Sequence, residues 1–418
     1  MGPWISLLGM ATLLAVGVVL SNDRRAINLR TVASAFLLLV SVAALVLYLP
    51  QGKAALHTAG AAVQWVINYS YVGISFLFGD LATDKVGFVF ALRILPIIIF
   101  FSALMAVLYH IGLMQWVVRI IGGVFQRVIG TRKVESFCAA ANIFVSQAEA
   151  PLVVRPYIHS ISDSQLFTIM VTGMATVAGS MLAGYAAMGI RIDYLVAASV
   201  MAAPAGLLMA KILYPDRVEK DDGEADGATS VDMDAEASSL EQPEERASNI
   251  IAAVAEGAAN GTKIAVNVGA MLIAFIALLS LLNGLFGLLG SLVGIEGLTF
   301  EGVLGFIFSP IAFLMGVPWE EAQVVGNLIG KKTILNEFVA YVDFVQIKDS
   351  LSEHSQAVVT FALCGFANIA SIAVLVGSLG AIAPARKEDA ARLGMRAVAA
   401  ATLANLMSAT LASFFLAL

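Results

Sequence analysis

Eight long apolar segments constrain the fold of this chain more than any other feature. An α-helix of roughly 17 to 25 apolar residues crosses a bilayer. The segments cover residues 3–20, 31–49, 86–109, 165–190, 193–213, 264–292, 357–383 and 397–417. Because lipid cannot satisfy exposed backbone amides, segments of this kind are expected to be helical. We therefore predict an all-α polytopic membrane protein with about eight transmembrane helices.

The composition agrees with this class. Of the 418 residues, 59% are hydrophobic and only 13% are charged, and the mean hydropathy is +0.88. A soluble domain of this length could not bury so much apolar surface. The first apolar segment lacks a basic leader and a small-residue cleavage site, so we expect a retained helix rather than a signal peptide.

Short basic loops predict the orientation of the chain. Arg24, Arg25 and Arg30 lie between the first two apolar segments, and loops rich in Lys and Arg face the cytoplasm. The loop before the last segment, which contains Arg386 and Arg392, follows the same rule. Both the N-terminus and the C-terminus are then expected outside the cell.

Residues 219–246 differ from the rest of the chain. They contain eleven acidic residues against Lys220 and Arg246, and they show no apolar periodicity. Such a composition is typical of a disordered tether. We predict an acidic cytoplasmic linker over 214–250, after N-terminal spans and a connecting segment over 1–85.

The linker separates two halves of similar order, 86–213 and 251–418. Each half has a long apolar segment, an amphipathic stretch (113–130 or 299–316), a broken polar segment and two further spans. This order predicts inverted repeats with a re-entrant helical hairpin in each, and such repeats place a substrate site near the membrane midplane. A chance likeness between two apolar halves is the alternative.

Each broken segment contains a glutamate. Glu149 lies in Asn-Ile-Phe-Val-Ser-Gln-Ala-Glu-Ala-Pro (142–151), and Glu337 lies in Asn-Glu-Phe-Val-Ala-Tyr (336–341). Ionisable groups at membrane depth are rare and usually mark a substrate or ion pathway. The two glutamates therefore favour a transporter.

A structural role for the glutamates is the alternative. Glu149 could form a buried ion pair with Arg155, and Glu337 could form one with Lys331 or Lys332. An intramembrane enzyme that uses the glutamates as acid and base would need a nucleophile, metal cluster or water path, which the sequence does not display. We expect that the protein is not an enzyme.

Three motifs of the chain resemble those of the concentrative nucleoside transporter family. They are Gly-Lys-Lys-Thr-Ile-Leu-Asn-Glu-Phe-Val-Ala-Tyr at 330–341, the 142–151 segment, and Cys-Gly-Phe-Ala-Asn-Ile-Ala-Ser at 364–371. The resemblance covers nearly the whole chain and is strongest to short bacterial members. It implies a nucleoside importer in the bacterial inner membrane, a homotrimer and elevator-like motion. Nucleosides such as uridine and the lipid bilayer are then the expected partners, and nucleic acid is not.

The resemblance also implies roles for residues that match the family's motifs. Gln147 and Glu149 would hydrogen-bond the nucleobase, Phe366 would pack against it, and Ile264 would line its pocket. The ribose would be held by Glu337, Asn368 and Ser371. An ionised carboxylate offers strong acceptors to neighbouring hydroxyl groups, which suits a ribose diol.

The family is also cation-coupled, and the matching positions imply a sodium site. The expected ligands are Asn142, Val145, Thr176 and Val177, whose side-chain oxygens and freed carbonyls would surround one ion. A proton remains the alternative coupling ion, because burial could allow Glu149 or Glu337 to titrate.

Ala148 departs from the family pattern, in which a Thr or Ser is common beside the base. The preference for purines or pyrimidines therefore stays open. A transporter of another small polar solute is the remaining alternative, although two carboxylates and the lack of an arginine clamp disfavour an anion.

Overall fold

The computed structural model describes residues 2–82, 89–216, 247–292, 294–295 and 297–418, and the main secondary structure in these ranges is helical. The acidic part of the predicted linker, 217–246, lies outside the described residues. Numbered in chain order, the helices are α1 (Trp4–Val19), α2 (Leu29–Leu47), α3 (Pro50–Phe78), α4 (Phe90–His110), α5 (Leu113–Ile129), α6 (Lys133–Ala141), α7 (Asp163–Ala175), α8 (Gly179–Ala187), α9 (Ile192–Leu213), α10 (Ile250–Leu292), α11 (Phe300–Leu314), α12 (Trp319–Ile334), α13 (Glu337–Ile347), α14 (Glu353–Leu363), α15 (Ala370–Ile382) and α16 (Lys387–Leu416).

Within the described residues, all eight predicted apolar segments are mainly helical, which confirms the fold class. Segments 165–190 and 357–383 are each broken, into α7 with α8 and α14 with α15. By length and composition, seven helices of the described chain can cross a membrane, and the α11–α12 pair, bent by 116°, raises the number to eight.

Two helices differ from the sequence prediction. The structure forms a 29-residue helix, α3, within the segment that we expected to be connecting. Polar residues such as Gln51, Lys53 and Gln64 interrupt its apolar pattern, but Pro50 at its start favours helix initiation. Helix α10 has 43 residues and begins at Ile250, well before the predicted apolar start at 264.

The two halves repeat the same packing in opposite directions. Helix α5 packs on α6 as α11 packs on α12, and α9 packs on α7 as α16 packs on α14. Asp163 at the start of α7 forms an ion pair with Arg386, which follows α15. Gly189 after α8 accepts a hydrogen bond from Lys348, which precedes α14. The broken helices are therefore antiparallel, and the repeats are inverted.

Helices α4 and α10 pack along each other as a closely spaced pair. A Cβ at Gly257 of α10 would lie 2.7 Å from Ala103 Cα, and a Cβ at Gly261 would lie 2.7 Å from Ile99 Cα. Small residues four apart allow the backbones of membrane helices to approach closely.

The two helix breaks meet inside the protein. Asn405 of α16 donates through Nδ2 to Ala175 O at 2.7 Å and to Cys364 O at 3.1 Å, so one side chain bonds the ends of both α7 and α14. The Phe366 amide also donates to Thr176 O at 3.2 Å. These contacts satisfy backbone groups that the breaks release, as irregular backbone at membrane depth requires.

The two chain ends lie at the same end of the helix bundle. Ser6 Oγ and Ser413 Oγ are 3.0 Å apart, near the start of α1 and the end of α16. At the opposite end, Arg396 donates to Asn22 Oδ1 at 2.7 Å, and the Asn22 amide donates to Leu213 O, close to the start of the linker. The basic loops and the linker therefore share one end of the molecule.

Candidate functional site

The second hairpin consists of α12 and α13. Glu337 lies at its bend, as the first residue of α13. Asn336 caps this helix, because its Oδ1 accepts a 2.9 Å hydrogen bond from the Val339 amide. Glu337 is only 3% exposed. A carboxylate at a helix N-terminus is stabilised by the helix dipole, which supports an otherwise costly buried acid.

The hydrogen-bond partners of Glu337 are neutral. Its Oε1 accepts a hydrogen bond from the Tyr185 hydroxyl at 3.0 Å, and its Oε2 accepts one from Asn368 Nδ2 at 3.2 Å. Lys332 donates instead to Ala362 O and Asn405 Oδ1, and Lys331 pairs with Asp343 and Glu301. The alternative expectation, a Glu337 ion pair with one of these lysines, was therefore wrong.

The network extends from Glu337 to the first hairpin, which consists of α6 and the 3-10 helix Ala150–Tyr157. Asn368 Oδ1 accepts a hydrogen bond from the Ser371 amide at 2.9 Å. Ser371 Oγ donates to Phe366 O at 2.5 Å and accepts a hydrogen bond from Gln147 Nε2 at 3.0 Å. The structure thus brings four predicted site residues from both repeats into one network, in which Phe366 takes part through its backbone.

A cavity of about 780 Å³ lies beside this network, between the first hairpin and the α4–α10 pair. Glu149, Val145 and Ile264 line it, together with Tyr109 and Glu256 farther along α4 and α10. Its volume lies within the range of small-molecule sites. Gln147 and Glu337 are buried and are not among its lining residues, so the structure divides the predicted substrate residues between the cavity and the network.

Glu149 is exposed, and its contacts are local. Its Oε2 accepts hydrogen bonds from the Ser146 amide at 3.1 Å and the Ser146 hydroxyl at 2.9 Å. Ser146, rather than Arg155, is therefore its partner, and the alternative of a buried Glu149–Arg155 ion pair is not what the structure has. The carboxylate can accept further hydrogen bonds from a ligand in the cavity.

The predicted cation ligands surround the junction of the first hairpin with the α7–α8 break. Asn142 is fully buried at the end of α6, and its Oδ1 has no hydrogen-bond partner among the described residues. Asn142 Nδ2 donates to Thr172 Oγ1 at 3.4 Å, and Thr176 Oγ1 donates to Thr172 O at 2.9 Å. Val145 lies in the hairpin turn and Val177 in the break. Oxygen atoms are the ligands that hard cations prefer, and the sodium site itself stays a prediction.

Sequence reasoning missed two parts of this region. Tyr185 belongs to an apolar segment and bonds a residue 152 positions away, so no local pattern could indicate its role. Asn405, by contrast, is a polar residue within the apolar segment 397–417, and that position was a signal of a buried polar contact.

Comparisons with known protein families match nearly the whole chain. A model described as "Na+ dependent nucleoside transporter N-terminus" matches residues 8–81, and one described as "Nucleoside recognition" matches residues 91–191. A third, "Na+ dependent nucleoside transporter C-terminus", matches residues 194–413.

Individual relatives agree with the family models. The chain is 46% identical to "Nucleoside permease NupC" of Helicobacter pylori, over 99% of this chain and 98% of that protein. It is 37% identical to human "Sodium/nucleoside cotransporter 1", over 98% of this chain and 63% of the human protein. A solved structure of CNTnw "in an inward-facing substrate-bound state" has a TM-score of 0.91 and 50% identity, and it covers 99% of this chain and 98% of its own. CNTnw has also been solved in outward-facing and intermediate states.

Proposed function

This chain belongs to the family of Na+-dependent nucleoside transporters, and from that premise we propose that it is a secondary active importer which carries a nucleoside and sodium together. The resemblance seen in the sequence motifs is thereby confirmed. One observation supports the proposal above all: Gln147, Ser371, Asn368 and Glu337 form a continuous buried network across the two hairpins.

The network suits the ribose of a nucleoside. Glu337 supplies strong acceptors for sugar hydroxyl groups, while Asn368 and Ser371 supply both donors and acceptors. Gln147 and Glu149 are assigned to the nucleobase, Phe366 to packing against it and Ile264 to the facing wall on α10. Uridine is the proposed test substrate. Two carboxylates disfavour a phosphorylated ligand, since like charges repel.

Sodium is the proposed coupling ion, with Asn142, Val145, Thr176 and Val177 as its ligands. The unpartnered Asn142 Oδ1 supports this site. Because Asn142 belongs to the same hairpin as Gln147 and Glu149, a bound ion would order the hairpin and improve nucleoside affinity. By linkage, the nucleoside would improve sodium affinity by the same factor.

Transport is proposed to follow an elevator-like motion within a homotrimer. The α4–α10 pair would act as part of a static scaffold, and the hairpins with the broken helices would move against it. The cavity extends from Glu149 and Ile264 toward Ala247, at the end of the bundle from which the linker leaves. With the basic loops in the cytoplasm of a bacterial inner membrane and both termini outside, this cavity faces inward.

Calorimetric titration of uridine into purified protein tests the assignment. We expect saturable binding in sodium chloride, much weaker binding in choline chloride, and loss of binding in Glu337→Gln. Glu320→Gln, on the exposed first turn of α12, is the matched control and is expected to bind like the wild type. Uridine affinity that is equal in the two salts would contradict the coupling, and wild-type protein that binds no nucleoside would contradict the function.

A further inference from the structure

We infer that Tyr185 is a positioning residue, whose hydroxyl group orients the Glu337 carboxylate toward the 2′- and 3′-hydroxyl groups of a ribose. The inference rests on the proposed function and adds a determinant of sugar specificity to it. Tyr185 is fully buried in α8, and its hydroxyl donates to Glu337 Oε1 at 3.0 Å.

The Glu337 carboxylate has acceptor capacity beyond its hydrogen bonds to Tyr185 and Asn368. A carboxylate has about four acceptor positions, two on each oxygen. Tyr185 occupies one position on Oε1, and Asn368 Nδ2 occupies one on Oε2. Among the described residues, each oxygen accepts one side-chain hydrogen bond, and the carboxylate keeps acceptor capacity for the two donors of a vicinal diol. Because two separate donors hold the two oxygens, the carboxylate plane cannot rotate without breaking a buried hydrogen bond.

The Tyr185 ring is itself held in place. It packs against Tyr341 with ring centroids 4.4 Å apart and an interplanar angle of 36°, and against Phe338 at 5.5 Å. The Tyr341 hydroxyl donates to Thr360 O at 2.8 Å, which anchors the neighbouring ring to α14. A phenylalanine at position 185 would keep these ring contacts and lose only the hydrogen bond to Glu337.

The loss of that hydrogen bond should affect only ligands that bond Glu337. Uridine has both ribose hydroxyl groups, whereas 2′,3′-dideoxyuridine has neither and so gains little from an oriented carboxylate. Tyr185→Phe is expected to weaken uridine binding by about tenfold, in line with a hydrogen bond to a charged group. Binding of 2′,3′-dideoxyuridine is expected to change by less than about twofold.

Titration of both nucleosides into wild-type and variant protein in sodium chloride tests this inference, with competition against uridine for the weaker ligand. The matched control is Tyr341→Phe, which removes a neighbouring hydroxyl group bonded to Thr360 rather than to Glu337; it should leave the ratio of the two affinities unchanged. An equal loss for both nucleosides in Tyr185→Phe would make the role merely structural and overturn the inference. Unchanged uridine affinity would also overturn it.

A second variant tests the same inference if Tyr185→Phe does not fold. Incorporation of 3-fluorotyrosine at position 185 keeps the ring and makes the hydroxyl group a stronger donor, so the affinity ratio of uridine to dideoxyuridine should shift; an unchanged ratio would overturn the inference. Different results would contradict the proposed function and the role of Tyr185. Wild-type protein that binds no nucleoside would contradict the proposed function. Wild-type protein that prefers uridine to 2′,3′-dideoxyuridine, with the same preference kept in Tyr185→Phe, would contradict only the role of Tyr185.

Discussion

At the scale of single residues, Glu337 and Lys332 are both buried and both have neutral hydrogen-bond partners. Glu337 is bonded by Tyr185 and Asn368, and Lys332 is bonded by the Ala362 carbonyl and Asn405. An acid and a base in direct contact would satisfy each other. Their separation leaves the acceptor capacity of Glu337 available for a neutral, hydroxyl-rich ligand.

Thr168 in α7 and Thr176 directly after its end provide a matched test of the cation site. Thr176 and Thr168 are both buried, and each donates to a carbonyl four residues earlier, at 2.9 and 2.8 Å. Thr176→Val removes a proposed sodium ligand and is expected to raise the sodium concentration for half-maximal uridine uptake by about tenfold. Thr168→Val should leave it unchanged. The measurement is uptake against sodium concentration, and an equal effect of the two variants would exclude Thr176 as a ligand.

Asn405 provides a test of the junction between the two breaks. Asn405→Ala removes the donor to Ala175 O and Cys364 O and one acceptor of Lys332, so stability should fall by about 3 kcal/mol. Ser408, one turn later, is also buried, and its hydroxyl group has no partner among the described residues. Ser408→Ala should therefore be nearly neutral. Thermal unfolding in detergent compares the two, and equal midpoints would contradict a structural role of Asn405.

Sequence analysis identified polar residues of the network but not their hydrogen-bond partners. Gln147, Asn368 and Ser371 were named because they match the motifs of the family, and they share one network in the structure. Tyr185 could not be predicted, because a tyrosine among apolar residues equally fits the core. The partners of a buried acid depend on long-range packing: Glu337 is bonded by Tyr185 and Asn368, whereas the sequence alone also allowed an ion pair with Lys331 or Lys332.

At the scale of helices, the interruptions of apolar segments were predictable and the long amphipathic helix was not. Gly173 and Gly179 in one apolar segment, and Gly365 and Asn368 in the other, predict interruptions at 173–179 and 365–371; α7 ends at Ala175 and α14 at Leu363. Helix α3 was missed because its apolar residues are mixed with polar ones along the helix. The predicted domain boundaries stay a prediction.

Two glycines of α10 offer a paired test of its packing on α4. A Cβ at Gly257 would lie 2.7 Å from Ala103 Cα and 2.8 Å from Ser102 O, whereas a Cβ at Gly284 meets nothing within 4 Å. Gly257→Ala is expected to destabilise the protein by about 1 to 3 kcal/mol through overpacking. Gly284→Ala should be neutral or slightly stabilising, because alanine favours helices. Thermal unfolding measures both variants. An unchanged unfolding midpoint in Gly257→Ala would contradict the close packing of α4 and α10.

At the scale of the whole molecule, inversion of the repeats places one broken helix of each half against the other, and each repeat contributes part of the site. The first repeat supplies Gln147 and the proposed cation ligands, and the second supplies Glu337, Asn368 and Ser371. Neither repeat alone contains the network. Under the proposed elevator-like motion, a substrate and an ion bound at this junction would be carried together.

The proposed orientation can be tested by labelling single introduced cysteines. Ala417→Cys lies at the exposed C-terminal end and Ser248→Cys is exposed just before α10, at the linker end of the bundle. Native Cys138 and Cys364 are buried and should not react. A membrane-impermeant maleimide is expected to label Ala417→Cys on intact cells and Ser248→Cys only after permeabilisation. The reverse pattern would invert the orientation.

The most direct test of the central claim is uptake of radiolabelled uridine into proteoliposomes under an inward sodium gradient. Parallel samples replace sodium with choline or apply a proton gradient alone, and Glu337→Gln serves as the inactive variant. The account predicts accumulation above the external concentration only with the sodium gradient, and loss of uptake in the variant. Accumulation driven by protons alone would contradict the sodium site, and an absence of uridine uptake under either gradient would contradict nucleoside import.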